Sequence, residues 1–330
     1  MTMNITTPTK LISGSVFPEL ARETAREMKF ELTPVDTKKF ANDETYVRIG
    51  DSVRGDKVFI IQSMASRGRQ SLNDSFVETL LLVDAAKRAS AAEITVVMPY
   101  MAYGRQDRKA KGREPISAAT VINALQGAGA DRLVSIDMHS AQTQAVFDGP
   151  FDHLTAVPNL IEALKKEIAG DVTDDVVVVA PDAGRVKEAE EYAEALGTTA
   201  LHIPKSRSDE GVKHRHDIEM LDNKVAIITD DMIDTAGTLV SAVSVVKAAG
   251  ARRIIVAATH GILSDPALER LDKAPIDKII VTNSIENSNA QTALGDRLCI
   301  VSISRLLADG ITRIASGDSV SEMFGGKNYK

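Results

Sequence analysis

The chain has 330 residues, of which 44% are apolar and 26% charged, a globular composition long enough for two domains. Its net charge of −7 argues against nucleic acid as the main partner. No apolar run reaches the roughly 18 residues of a membrane-spanning helix, the N-terminus lacks a signal-peptide core, and one cysteine, Cys299, fits a reducing compartment. We therefore expect a cytoplasmic protein with no nucleic-acid or membrane partner.

Short apolar runs alternate with helical periodicity along both halves of the chain. Strands are predicted at residues 10–13, 47–49, 58–61, 94–98, 133–136, 176–179, 224–229, 254–258 and 279–282, and helices at 19–28, 75–89, 118–125 and 239–249. A weak repeat accompanies this pattern, since GDKVFII in the first half resembles DNKVAII in the second. The order predicts an α/β protein of two similar domains, residues 1–155 and 156–330, each a mostly parallel sheet flanked by helices.

The stretch KVAIITDDMIDTAGTL combines two opposed chemistries at the end of a predicted strand. Its Thr/Gly part offers hydroxyls and backbone N–H groups at a helix N-terminus, which suits a phosphate. Its Asp-Asp part can accept hydrogen bonds from sugar hydroxyls or hold a magnesium ion. A loop with both preferences indicates a phosphorylated sugar. The site residues are Asp230, Asp231, Asp234, Thr235, Ala236, Gly237 and Thr238.

A concentrated basic loop, GRQDRKAKGR, follows the strand predicted at 94–98. A solvated basic face is the plainer interpretation. Because the protein is acidic overall, an anion site at the carboxyl end of a strand is favoured instead, and arginine suits bidentate contact with nucleotide phosphates. His139 and Asp182 also follow predicted strands, and a carboxylate suits Mg²⁺ better than an imidazole does.

The segment KSRSDEGVKHRHD is polar and has little periodicity, which predicts a loop. Its Lys205 and Arg207 alternate, so in extended chain both side chains point the same way. Surface charge is the alternative interpretation. Earlier in the chain, FANDE places an aromatic ring beside amide and carboxylate acceptors that can bind a purine, although a hairpin turn with a core Phe is equally compatible.

Taken together, these segments resemble one known family. DDMIDTAGT resembles the ribose-phosphate loop of proteins that make or use phosphoribosyl pyrophosphate, and PYMAYGRQDRK resembles the nucleotide-binding segment of ribose-phosphate pyrophosphokinases. The resemblance extends from about Lys10 to Phe324, and class I of that family fits best. Two departures are Asp43, where glycine or glutamine is more usual, and Arg185, where a second glycine is usual and whose side chain puts the loop conformation in question.

The resemblance implies a transferase that moves the diphosphoryl group of Mg-ATP onto ribose-5-phosphate, giving 5-phosphoribosyl 1-pyrophosphate and AMP for nucleotide, histidine and tryptophan biosynthesis. It assigns catalysis to Lys205 and Arg207, with Mg²⁺ beside His139 and Asp182. It also implies a cytoplasmic homo-oligomer, commonly a hexamer, with phosphate and ADP as regulators. ATP would be bound by Phe40, Asn42, Glu44, Arg105, Gln106 and His139, and the regulators by Ser52, Arg54, Ser319 and Ser321.

Two alternatives remain open at this point. A phosphoribosyltransferase would explain residues 224–239 but would leave the ATP-like segments without a role. A non-catalytic regulatory subunit would keep the fold, but such a protein should have lost Lys205, Arg207 or the Asp pair, and all of them are present.

Overall fold

The computed structural model describes residues 8–202 and 221–325. The chain forms two compact units. The first contains the described residues up to Thr155, a short piece at Ser284–Glu286, and the described residues from Ile303 onward. The second contains the described parts of Ala156–Asn283 together with Asn287–Ser302. Each unit has its own sheet and its own helices.

The first unit is built on a six-stranded parallel sheet in the order β2-β1-β5-β6-β7-β8, with a separate antiparallel hairpin, β3-β4. Its strands are β1 (Thr9–Ser13), β2 (Leu32–Thr33), β3 (Val35–Lys39), β4 (Thr45–Ile49), β5 (Lys57–Ile61), β6 (Glu93–Met98), β7 (Arg132–Ile136) and β8 (Phe151–Leu154). Its helices are α1 (Pro18–Met28), α2 (Leu72–Arg88), α3 (Ser117–Ala128) and, from the end of the chain, α9 (Ser304–Ser316).

The second unit is built on another six-stranded parallel sheet, in the order β10-β9-β11-β12-β13-β14. Its strands are β9 (Val176–Ala180), β10 (Thr199–His202), β11 (Val225–Ile233), β12 (Arg253–Gly261), β13 (Lys278–Thr282) and β14 (Leu298–Val301). Its helices are α4 (Val157–Glu167), α5 (Val186–Leu196), α6 (Gly237–Ala248), α7 (Ala267–Lys273) and α8 (Ser288–Leu294).

The two sheets share one topology, which confirms the predicted fold class of two similar parallel-sheet domains. In each six-stranded sheet, the first of its strands along the chain lies between the next two strands of that sheet (β1 between β2 and β5, β9 between β10 and β11), so the chain reverses its direction across the sheet at that point. Open α/β sheets bind ligands in the crevice at such a switch point, beyond the carboxyl ends of the strands. In the second unit this point lies between β9 and β11.

Burial follows the strand sequences directly. All five residues of β9 (VVVVA) are buried, as expected for a parallel strand that helices cover on both faces. The two faces of the second sheet pack into separate apolar clusters, one against α6 and α7 and the other against α4 and α5.

Two predictions about boundaries need correction. The second domain was expected to run unbroken to the C-terminus, but α9 packs against α1 in the first unit because its apolar face is buried there. The strand predicted at 224–229 runs on to Ile233, since Asp230, Met232 and Ile233 continue its pairing with β12. The register in the sheet therefore overrides the low strand propensity of aspartate.

None of the helices in the described ranges is both long enough and apolar enough to cross a membrane.

Candidate functional site

The predicted sugar-phosphate residues lie at the carboxyl end of β11, beside the switch point of the second sheet. Because side chains alternate along a strand, Asp231 is buried, with 2% of its side chain exposed, while Asp230 keeps 27%. Asp234, Thr235 and Ala236 then connect the strand to α6, which begins at Gly237. The structure therefore leaves five residues between the second carboxylate, Asp231, and the first residue of the helix, Gly237.

The connection is shaped to leave a helix N-terminus open. Ala236 has φ 58°, the left-handed conformation that costs a non-glycine residue roughly 1 kcal/mol. The Thr235 and Thr238 side chains are both exposed. Arg270 of α7 donates from Nη1 to the carbonyl oxygen of Thr235 at 2.8 Å and so braces the loop from outside. Strain held in this way is typical of loops that bind ligands.

Arg185 contacts both carboxylates of the sugar loop. Its Nε lies 3.1 Å from Asp230 Oδ1, and its Nη2 forms an ion pair with Asp231 Oδ1. Its third nitrogen, Nη1, lies 3.0 Å from Oε2 of Glu188, which belongs to the first turn of α5. Only 16% of the Arg185 side chain is exposed, so one guanidinium serves three carboxylates in a poorly solvated place.

The electrostatics follow from this burial. Burial raises the pKa of Asp230 from its ordinary value of 3.8 to about 7; Arg185 opposes the increase and Asp231 adds to it. Burial acts to lower the pKa of Arg185, but the carboxylates of Asp231, Asp230 and Glu188 outweigh it, and the net shift is upward. The guanidinium therefore stays charged, while Asp230 is poised between its two protonation states near neutral pH.

The backbone conformation at Arg185 is one that arginine can adopt, although a glycine is more usual at this position. Its φ is −106°, which any residue can adopt, so the arginine brings no strain. It ends a short 3₁₀ turn, Ala183–Arg185, that Asp182 caps by accepting from the Gly184 N–H at 2.9 Å. At Asp43, the other departure, φ is 67°, a conformation that glycine favours and aspartate tolerates.

The two predicted metal ligands belong to different units. Asp182 follows β9 in the second, and His139 is exposed after β7 in the first. Within the described residues there is no group of three or more His, Cys, Asp or Glu side chains placed to hold a metal ion. Asp182 is nevertheless compatible with Mg²⁺ binding. This ion usually takes only one or two protein carboxylates and completes its shell with substrate phosphates and water.

The predicted nucleotide segment forms an irregular loop between β6 and α3. Arg105 and Gln106 are exposed, and a Cβ built on the adjacent Gly104 would lie 3.9 Å from His139 Cβ. The structure therefore brings this loop beside His139. Gln106 is tied to the start of α3, because its carbonyl oxygen accepts from the Ala118 N–H at 3.3 Å. The remaining cations of the loop, Arg108, Lys109, Lys111 and Arg113, are exposed as well.

The predicted adenine segment is the tip of the β3-β4 hairpin. The turn is closed by the Phe40 N–H, which donates to the Glu44 carbonyl oxygen at 2.8 Å. Phe40 is 50% exposed and meets Tyr46 edge to face at 5.8 Å, so it is not a core residue. Asn42 and Glu44 are exposed too. An accessible ring with polar neighbours is available for stacking on a base.

The predicted regulatory residues form two local groups in the first unit. The Arg54 N–H donates to Ser52 Oγ at 3.5 Å, and the hydroxyls of Ser319 and Ser321 lie 2.9 Å apart in a turn that follows α9. That turn is a short 3₁₀ segment, Ser321–Phe324, and not a continuation of the helix. The predicted catalytic residues Lys205 and Arg207 lie outside the described residues.

Comparison with known proteins decides the family. A model of the N-terminal domain of ribose phosphate pyrophosphokinase matches residues 9–129, and a model of the phosphoribosyl synthetase-associated domain matches residues 212–325. The ribose-phosphate pyrophosphokinase of Corynebacterium efficiens is 44% identical over 96% of this chain and 95% of its own. The chain belongs to the ribose-phosphate pyrophosphokinase family. It is accordingly a transferase of kinase type in nucleotide biosynthesis, and the resemblance seen in the sequence is confirmed.

Other relatives agree over the whole length. The ribose-phosphate pyrophosphokinase of Aquifex aeolicus is 42% identical over 96% of this chain and 98% of its own. The crystal structure of phosphoribosylpyrophosphate synthetase from Mycobacterium smegmatis superposes with a TM-score of 0.84 at 40% identity, covering 94% of this chain and 99% of that one. Family identity supports synthesis of phosphoribosyl pyrophosphate and the use of a divalent metal ion.

Sequence reasoning missed the partners of Arg185 and the bracing role of Arg270. Arg185 stands 45 and 46 positions before the Asp pair in the sequence. Only the direct pairing of β9 with β11 brings these residues together. The available signal was the charge itself, an arginine where glycine is usual at the end of a strand.

Proposed function

We propose that this chain transfers the β,γ-diphosphoryl group of Mg-ATP to the C1 hydroxyl of ribose-5-phosphate, giving 5-phosphoribosyl 1-pyrophosphate and AMP. The observation that carries the proposal is the loop after β11, where a carboxylate pair precedes an open helix N-terminus at the switch point of the sheet. Family membership supports the product, and the loop supports a phosphorylated sugar as the acceptor.

The sugar would be held by both ends of this loop. Asp230 and Asp231 would accept hydrogen bonds from the ring hydroxyls. The 5-phosphate would take the N–H groups at the start of α6 and the hydroxyls of Thr235 and Thr238, with Asp234, Ala236 and Gly237 shaping the turn. Exposure of both threonine side chains supports this assignment.

ATP would be bound by residues of the first unit. Arg105 and Gln106 would contact its phosphates beside His139, as the closeness of Gly104 to His139 supports. Phe40, Asn42 and Glu44, at the exposed hairpin tip, would hold the adenine of an ATP bound to a neighbouring subunit. Because each ATP would then be bound by two subunits, the chain would have to form a homo-oligomer, which we propose is a hexamer.

The chemistry requires attack of the C1 hydroxyl oxygen on the β-phosphorus. The bond between that phosphorus and the α,β-bridging oxygen breaks, AMP leaves with the bridging oxygen, and the hydroxyl proton is lost to solvent. Lys205 and Arg207 would neutralise the charge that develops on the transferring group. Mg²⁺, with Asp182 and His139 beside it, would supply charge neutralisation of the phosphates when bound.

Regulation is proposed at Ser52, Arg54, Ser319 and Ser321, which would bind phosphate or ADP. Both groups belong to the first unit, and hydroxyls with an arginine suit an oxyanion. We also propose that the enzyme acts in the cytoplasm, where its product feeds nucleotide, histidine and tryptophan biosynthesis.

The test is to incubate the protein with Mg-ATP and ribose-5-phosphate and to separate the nucleotides by chromatography. We expect AMP to appear only when both substrates are present. Incubating phosphoribosyl pyrophosphate with purine and pyrimidine bases tests the phosphoribosyltransferase alternative, for which pyrophosphate release would be the sign. The absence of AMP under all phosphate and magnesium concentrations would favour the regulatory-subunit alternative.

The sugar site has a separate test. Asp231→Ala should weaken ribose-5-phosphate binding and leave ATP binding nearly unchanged, because an acceptor for a sugar hydroxyl is lost. Isothermal titration with each substrate separately measures both affinities. Equal weakening for the two substrates would move this loop from the sugar to the metal-nucleotide.

A further inference from the structure

The Asp230–Asp231 pair already has a cation beside it. Two adjacent carboxylates in a poorly solvated place repel each other, and a divalent metal ion is a common solution. Here Nε and Nη2 of Arg185 contact Oδ1 of Asp230 and Oδ1 of Asp231. We propose that Arg185 replaces a divalent metal ion at this pair, so that the chain binds its sugar there without a metal. The inference rests on the proposed role of the pair in sugar binding.

Arg185 is held in this position from its own element. Its N–H donates to the Asp182 carbonyl oxygen at 3.1 Å, which fixes the turn before α5. Glu188, whose side chain is 11% exposed, holds Nη1 at 3.0 Å from the other side. With the backbone in an unstrained conformation, the guanidinium is directed at the Asp pair by these two contacts. It is therefore a positioning residue and not a mobile surface charge.

A metal ion and this guanidinium would compete for the same atoms. A divalent ion bridging the pair needs an oxygen from each carboxylate, and the arginine both engages Oδ1 of each and would repel a second cation there. Sugar hydroxyls are not excluded in the same way, because an ionised carboxylate has about four acceptor positions. Arginine cannot lose its proton at accessible pH, so the charge that it supplies is permanent.

The first experiment counts bound Mn²⁺ on the full-length protein by electron paramagnetic resonance. We expect Arg185→Met, which removes the charge and keeps an unbranched apolar stem, to bind one more Mn²⁺ per chain than the wild type. The double variant Arg185→Met/Asp231→Asn should lose the additional ion. The matched control is Arg253→Met, because Arg253 pairs with Glu167 and Asp171 in the same unit away from the loop. Equal Mn²⁺ counts in wild type and Arg185→Met would overturn the inference.

The second experiment measures ribose-5-phosphate affinity by isothermal titration, once with EDTA and once with Mn²⁺. We expect the wild-type affinity to change less than ~3-fold between the two conditions, and that of Arg185→Met to increase at least ~10-fold with Mn²⁺. Should Arg185→Met fail to fold, Arg185→Lys keeps the charge and should behave like the wild type. Wild-type binding that requires Mn²⁺ would overturn the inference. No binding under either condition would instead overturn the proposed sugar site.

Discussion

The Asp230–Asp231 pair should respond unequally to removal of its charges. Asp231 is 2% exposed and forms an ion pair with Arg185, so Asp231→Asn leaves a buried guanidinium without its main partner. Breaking a buried pair by removing one member costs about 3–5 kcal/mol of unfolding free energy. Asp230 has a pKa of about 7, so much of its charge is already absent at neutral pH. We expect Asp230→Asn to cost only about 1 kcal/mol.

Urea denaturation followed by far-UV circular dichroism at pH 7 measures this difference. The matched control is Asp84→Asn, which breaks a surface pair with Arg88 whose side chains are 44% and 79% exposed. Such pairs contribute about 0–1 kcal/mol, so the control should resemble the wild type. If Asp230→Asn were as destabilising as Asp231→Asn, the unequal burial would not control the energetics and the reasoning would be wrong.

The same pair predicts a pH dependence with a definite sign. The folded protein binds the Asp230 proton more tightly than the unfolded chain, where the pKa is near 3.8. The stabilisation from this proton is complete below about pH 3.8 and is lost as pH rises to about 7. Its full size is on the order of 4 kcal/mol. Between pH 5 and 8, the unfolding free energy of the wild type should therefore decrease relative to that of Asp230→Asn as the pH rises. A constant difference would contradict the raised pKa.

Three further predictions concern the nucleotide, catalysis and regulation. Lys205→Ala and Arg207→Ala should each lower kcat at least ~100-fold with little change in KM, since their charges would act in the transition state; normal kcat with weakened ATP binding would contradict the role. Phe40→Ala should weaken ATP binding by about 1–3 kcal/mol in isothermal titration, the scale of stacking on a base, while an unchanged affinity would remove Phe40 from the adenine site. Ser319→Ala with Ser321→Ala should alter the dependence of rate on phosphate and ADP, and unchanged curves would make the turn structural.

The fold was largely predictable because its signal is local. Short apolar runs rich in β-branched residues, such as VVVVA in β9, are typical of strands in a sheet covered on both faces, and the matching order of runs in the two halves indicated two similar domains. The C-terminal residues that form α9 were included in the second domain, whereas they belong to the first unit. The amphipathic pattern of α9 shows that one face is buried, but not which neighbour covers that face, and α1 was the one that did.

The candidate site was only partly predictable. The loop after β11 could be found because the types and order of its residues indicate that it binds a phosphorylated sugar. The contact with Arg185 could not, since it depends on β9 and β11 being neighbours while β10, which lies between them in the chain, is placed at the edge of the sheet. Similarly, the buried position of Asp231 and the half-buried one of Asp230 follow from a strand that continues four residues further than propensity predicted.

The most direct test of the central claim is to follow the reaction by phosphorus-31 NMR. The wild-type protein is mixed with Mg-ATP and ribose-5-phosphate, and all phosphorus signals are recorded as the reaction proceeds. We predict that the β and γ signals of ATP disappear together, that two coupled signals of a sugar diphosphate replace them, and that AMP forms in equal amount. Formation of ADP with a sugar that gains only one phosphorus would contradict diphosphoryl transfer and, with it, the proposed function.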